Sequence, residues 1–322
     1  MKLGKWFYYG TGITAVFFLV LFSSYSPIVG EPGDEPEAPG QETPSGHITR
    51  AKHAHPAGVI QQVGAFDLDK DFYFAGKRIP TENQDVYERL DREILHIAYH
   101  HTSTILAMKR AKRVFPVIEP ILEKYGLPND LKYLAVTESS LANATSGAGA
   151  KGVWQFMKGT AAYYGLEVNR EVDERNHLEK ATVAACKYLK HYYDQFGSWA
   201  LAAAAYNMGG PRLKKAMMHQ KGKSFYDLNL NSETMRYFFR IVAHKEILEH
   251  PEAYGYFIDD YLKYNPLPAS RIVKVSGPVS NWGSFARKYG MSYRELKRLN
   301  PWIKSYKLTN KRHKTYEVRV LQ

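Results

Sequence analysis

Between Pro80 and His250 nothing alternates apolar and polar residues as a long half-buried strand must, while apolar residues recur every three to four positions. That periodicity restricts the chain to a mainly α fold. Val86, Leu90, Ile94 and Ile97 predict a helix over 84–100. Two further helices are expected over 103–114 and 116–125, the second opened by Pro116 in a tolerated first-turn position and closed by Gly126. Pro128 and Asp130 open the next one. Beyond it the pattern predicts a short helix over 160–164 before Gly165, a long one over 178–196 before Gly197, and an alanine-rich one over 199–206 capped by Ser198. Gly209-Gly210-Pro211 breaks the chain, and Ser232 is expected to cap a last long helix that stops before Pro251.

One carboxylate stands out against this background. Leu131, Leu134, Ala135 and Glu138 lie at i, i+3, i+4 and i+7, which puts the acid on the buried stripe of its helix, at the C-terminal end. Loss of water and the partial negative charge of a helix C-terminus both disfavour its charged form. A carboxyl held protonated near neutral pH is suited to general acid work. Directly after it comes the glycine-rich stretch Ser146-Gly-Ala-Gly-Ala-Lys-Gly-Val-Trp-Gln155-Phe-Met157.

Three separated blocks, Glu138-Ser139-Ser140 with Ser146, Gly152-Val-Trp-Gln155-Phe156-Met157, and Ala205-Tyr206-Asn207, resemble in order and interval the lytic transglycosylases that cut bacterial peptidoglycan. The likeness is greatest to the membrane-bound murein transglycosylase D type. A fourth block, Glu233-Thr-Met-Arg-Tyr237, resembles the segment that this family places along its saccharide groove. The resemblance implies a lysozyme-like helical catalytic domain over 127–256, preceded by a helical extension over 57–126. It implies cleavage between N-acetylmuramic acid and N-acetylglucosamine without water, giving a 1,6-anhydro product. Most glycosidases need two carboxylates, whereas the matched blocks offer Glu138 alone, which suits a substrate that supplies its own nucleophile.

By the same resemblance Ser146 would orient an N-acetyl group, although its hydroxyl equally suits a local turn. Gln155 offers an amide that both donates and accepts toward sugar. Phe156 and Met157 would wall the groove or belong to the core. Tyr206 would lie near the acid and help set its protonation. Asn207 suits either a sugar contact or a brace for the turn at Gly209-Gly210. Glu233 would line the groove, and its place after Ser232 also favours a helix N-terminus. No cofactor and no metal is expected. His96 and His100 share a helix face at i, i+4 but lack a His-Glu-x-x-His pattern or a spaced third ligand, and read as structural histidines.

The flanks carry addresses rather than chemistry. Lys2 and Lys5 precede a mostly apolar run over 6–22, so residues 1–29 read as a signal peptide or signal anchor. Residues 30–56, rich in Pro, Gly and Glu, read as a disordered linker. The one cysteine, Cys186, excludes an intramolecular disulfide. The formal net charge is +12, and residues 271–322 hold thirteen Lys or Arg against two acids. A basic tail suits nucleic acid, an anionic wall polymer, a membrane surface or plain solvation. With an export segment ahead of it, nucleic acid is not expected. Over 271–322 the order strand, helix, helix, strand resembles a divergent LysM module, with Ser280-Asn-Trp-Gly283 in place of the usual Gly-Asp-Thr-Leu. Removing this tail is expected to weaken retention on insoluble peptidoglycan and to spare cleavage of soluble fragments. The implied partners are glycan strands and, through the N-terminal segment, a membrane, on the periplasmic side of a Gram-negative envelope. A lysozyme-like muramidase and a non-catalytic wall-binding protein are the competing readings.

Overall fold

The computed structural model describes residues 64–322. The expected anchor and linker, residues 1–56, lie outside them. A two-residue hairpin opens the fold: β1 (Tyr73–Phe74) pairs antiparallel with β2 (Lys77–Arg78) across Ala75 and Gly76, both at positive φ. Then follow α1 (Gln84–Tyr99), α2 (His101–Lys124) and α3 (Lys132–Ser139). After the glycine-rich stretch come α4 (Lys158–Tyr163), α5 (Leu178–Phe196), α6 (Trp199–Met208), α7 (Gly210–Gln220) and α8 (Ser232–Glu249). No helix among the described residues is long and apolar enough to cross a membrane.

The alanine-rich α6 sits at the centre. Residues from Ala200 to Ala205 are all buried, and their small side chains let α5, α7 and α8 close around them. A single apolar core runs from Leu68 to Tyr256, so the early helices α1 and α2 share it with α3 to α8. Inside this core Glu93 of α1 is fully buried, and Arg236 and Arg240 of α8 meet its two oxygens at 2.7 and 3.1 Å. Burial alone would raise this carboxyl, but the surrounding guanidiniums outweigh it and hold it below its ordinary range. The pair fixes the position of α8 against α1.

Two local expectations need correction. The helices expected over 103–114 and 116–125 are one continuous α2 that runs through Pro116 and Pro120. Both prolines lie on the exposed face, so the carbonyls that they leave without an amide donor can turn to water. The cap of α8 is Asn231, whose Oδ1 accepts from the Thr234 amide at 3.0 Å; Ser232 is the first helical residue.

The C-terminal segment folds as β3 (Ser270–Val275), α9 (Trp282–Lys288), α10 (Tyr293–Leu299) and β4 (Tyr316–Leu321). The strands pair antiparallel, from Ser270 opposite Leu321 to Val275 opposite Tyr316. The unusual Ser280-Asn-Trp-Gly283 stretch has clear local work: Asn281 Oδ1 caps α9 through the Ser284 amide at 2.9 Å, and Trp282 fills the second core. That second core also takes in Val172, a residue of the loop before α5. Around Val172 the loop and the tail exchange backbone hydrogen bonds, Asp173 N to Trp302 O at 2.9 Å and Lys304 N to Glu171 O at 2.8 Å. Glu171 Oε2 further accepts from Thr309, and Lys314 pairs with Glu167 at 2.9 Å. The tail is therefore stitched into the helical body.

Candidate active site

Glu138 stands in the last turn of α3. Ser140 and Leu141, both at positive φ, then turn the chain sharply away and leave the carboxyl at the helix end. Ser139 fastens this end to the glycine-rich stretch through its hydroxyl, which donates to Val153 O at 2.8 Å. The Glu138 side chain keeps partial solvent access, yet protein surrounds most of it. Desolvation is the main reason that its pKa rises to about 7. The hydroxyl of Tyr237, on α8, donates to Glu138 Oε1 at 2.5 Å and opposes the rise, and the charge of Glu233 adds to it. Glu138 Oε2 takes no hydrogen bond from the described residues.

The glycine-rich stretch is held by a clamp that sequence reading does not single out. Arg175, buried, donates from Nη1 to Gly149 O at 3.0 Å and Phe156 O at 3.1 Å, and from Nε and Nη2 to the two oxygens of Asp173 at 2.8 and 2.9 Å. Burial alone would raise Asp173, but Arg175 and then Lys151 outweigh it and hold its pKa below the ordinary value. Gly152 lies under this clamp at φ +85, where an added Cβ would stand 1.9 Å from Arg175 O. Only glycine satisfies both the dihedral and the space. Gln155, itself at φ +47, donates from Nε2 to Gly152 O at 2.7 Å and Ala144 O at 3.1 Å. Its amide oxygen is left as an acceptor.

The other expected site residues divide clearly. Tyr206, on α6, lies close enough to Glu138 for the acid's charge to help hold its phenol well above the ordinary value, after burial, the larger cause. Its proton, however, goes to Trp154 O at 2.6 Å. The tyrosine that bonds the acid directly is Tyr237, whose phenol is likewise pushed well above its usual value, first by burial and then by Glu138. Phe156 is buried in the core beside Tyr188 and Tyr206, whereas Met157 is 48% exposed. Asn207 Oδ1 accepts from Thr234 Oγ1 at 2.8 Å, which ties the end of α6 to the start of α8. Glu233 is exposed and pairs with Arg240 at 2.9 Å. Ser146 is exposed, and its hydroxyl accepts from the Ala150 amide at 3.0 Å within its own turn. His96 and His100 stack their rings 6.0 Å apart on α1 and its cap. Among the described residues no three His, Cys, Asp or Glu side chains form a metal-binding group.

Tyr237→Phe is expected to move the acid's titration. The lost bond favours the anion, so the alkaline limb of the pH–rate profile should shift up by roughly one unit, the scale of one charge-assisted hydrogen bond. A profile that falls in height without moving would mean that Tyr237 only packs.

Residues 116–229 match the family described as the Transglycosylase SLT domain, and residues 271–320 match the Soluble lytic transglycosylase C-terminal LysM-like domain. The membrane-bound lytic murein transglycosylase D of Escherichia coli (strain K12) is 32% identical over 229 residues, which cover 69% of this chain and 49% of that relative. This chain thus spans about half the length of that protein. A protein of Alteromonas sp. (strain M-1), named for tributyltin chloride resistance, is 30% identical over 132 residues, 40% of this chain and 64% of the relative. The solved 70 kDa soluble lytic transglycosylase SLT70 from Escherichia coli aligns over 42% of this chain and 24% of its own, with 22% identity and a TM-score of 0.37. The helical body thus carries a transglycosylase SLT domain over residues 116–229, and the tail a LysM-like domain of the kind described for the C-terminus of soluble lytic transglycosylases.

Proposed function

We propose that this protein is a peptidoglycan lytic transglycosylase in which Glu138 is the sole catalytic carboxylate. The observation that carries the reading is the state of that acid: desolvated, raised to about 7, and bonded by one oxygen only. A group with that pKa holds and gives up a proton with comparable ease near neutrality. Glu138 protonates the glycosidic oxygen between N-acetylmuramic acid and N-acetylglucosamine as the leaving sugar departs. The carboxylate so formed accepts the hydrogen bond of Tyr237 and takes the proton of the muramoyl C6 hydroxyl as that oxygen closes onto C1. One proton leaves the acid and one returns, and no water is consumed.

The carboxylate whose charge acts on Glu138 is Glu233, and it is exposed and engaged by Arg240. That arrangement supports a one-acid mechanism over the two-carboxylate hydrolysis of ordinary glycosidases. Gln155, Met157, Tyr206 and Glu233 are the proposed groove contacts. Ser146 serves through its turn or by releasing its hydroxyl to the substrate, Phe156 supports the groove from the core, and Asn207 braces α8. The N-terminal segment anchors the enzyme on the periplasmic face of the envelope; the Escherichia coli relative is named as membrane-bound, which supports the membrane attachment.

Digestion of purified sacculi distinguishes the chemistries. A transglycosylase releases soluble fragments without creating reducing ends, so the fragment signal should rise while the reducing-sugar signal stays flat. Parallel growth of both would make the enzyme a muramidase, and absence of both would make it a non-catalytic wall binder.

A further inference from the structure

A cleft of about 570 Å³ lies where α2 and the 176–179 segment face the 264–270 connection and the LysM-like domain. None of Glu138, Gln155, Tyr206, Tyr237 or Glu233 lines it. Four guanidiniums do; that of Arg319 is paired with Glu179, whereas those of Arg110, Arg113 and Arg298 form no ion pair with a carboxylate among the described residues. Arg110 is held by a backbone carbonyl, Ser140 O at 3.0 Å. Arg113 bonds Asn265 O at 2.7 Å and lies 5.4 Å from the centre of the Tyr264 ring. Arg298 is exposed.

The rest of the lining narrows the ligand. Val114, Val117, Leu141, Val153 and Leu299 give the cleft apolar walls, which a small inorganic anion has no use for. Asn143 and Asn176 add side-chain amides, each able to donate and accept toward peptide groups. Two carboxylates are also present. Glu179 is ion-paired with Arg319 at 2.6 Å and lies beside the His177 ring, whereas Glu317 is exposed and unpaired among the described residues. Acids in the wall oppose a polyphosphate or a nucleic acid strand and suit a ligand that carries both signs. Guanidinium forks match carboxylates through two parallel hydrogen bonds.

We propose that this interdomain cleft binds a short acidic peptide, with its carboxylates on Arg110, Arg113 and Arg298 and an amino group toward Glu317. The site goes beyond the catalytic reading because binding there needs no turnover. Arg110 also connects it to the catalytic helix, since Ser140 lies two residues past Glu138.

Isothermal titration of the full chain with synthetic Ala-Glu-Ala-Glu tests the site. Wild type should bind this peptide, and amidation of all its carboxylates should weaken binding by about tenfold or more, the effect of losing charge-assisted hydrogen bonds. Arg113→Gln and Arg298→Gln should each weaken it by a similar factor, and circular dichroism melting monitors their folding. Glu138→Gln should bind as wild type does. Absence of binding, equal binding of the amidated peptide, unchanged binding by both arginine variants, or loss of binding in Glu138→Gln would each overturn the proposal. Competition by inorganic phosphate at equal concentration would do so as well, by making the cleft a simple anion site. Cleavage of sacculi is read separately, so failure of the transglycosylase mechanism leaves the binding result standing.

Discussion

Replacing Glu138 by Gln is expected to lower the release of soluble fragments from sacculi by roughly a thousandfold or more, the scale of general acid–base catalysis lost at both steps. Gln keeps the volume and an oxygen for the Tyr237 hydroxyl, so the fold should survive. Stability should move in the opposite direction from activity. The folded-state pKa of about 7 lies above the ordinary 4.5, so the folded protein binds this proton more tightly than the unfolded chain does. The resulting stabilisation is full below pH 4.5 and is lost as pH rises through about 7. Above that pH the wild type holds a desolvated charge. Glu138→Gln should then be the more stable protein by on the order of 2 kcal/mol, with the gap closing as pH falls. Urea unfolding at pH 5 and pH 8 checks this, and a variant less stable at pH 8 would show that the carboxylate is well solvated.

Deleting residues 271–322 is expected to cost cleavage of soluble fragments as well as retention on insoluble wall. That outcome departs from the sequence-based expectation of a separable binding tail. The deletion uncovers Val172, removes the acceptor of Asp173 N and the donor to Glu171 O, and strips Glu167 and Glu179 of their partners Lys314 and Arg319. Burial of one valine and two to three hydrogen bonds together amount to about 4–5 kcal/mol. For a body of this size such a loss lowers the melting temperature by on the order of 10 °C. The damage reaches the site by a short path. Asp173 is the residue that grips Arg175, and Arg175 holds Gly149 O and Phe156 O on the stretch that presents Gln155. Cleavage of soluble fragments should therefore fall by roughly tenfold or more, in line with the sensitivity of catalysis to small misplacements. Full activity on soluble fragments with an unchanged melting temperature would restore the separable tail.

What sequence reading recovers here follows from what periodicity records. The helical body, the alanine-rich α6, the strand–helix–helix–strand tail and the desolvated position of Glu138 all leave marks in the spacing of apolar residues. The join within α2 is misread because a proline in sequence signals a break regardless of which face it occupies, and only the fold shows Pro116 and Pro120 turned outward. Tyr237 is read only as the end of the Glu233 block, because it precedes Phe238 and Phe239 on an apolar helix face, where a tyrosine reads as core; its bond to the acid becomes visible only when α8 crosses α3. The clamp of Arg175 and Asp173 joins residues of an irregular loop, where no period exists to read. Its one sequence trace is Gly152, needed for the close approach of Arg175 O.

The most direct test of a single carboxylate acting without water is digestion of sacculi by the wild-type enzyme in ¹⁸O-labelled water, with mass analysis of the released fragments. The one-acid mechanism predicts products lighter by one water than the hydrolysed form and free of the heavy isotope. Heavy oxygen at the muramoyl C1 would contradict it and return Glu138 to the role of an ordinary hydrolytic acid.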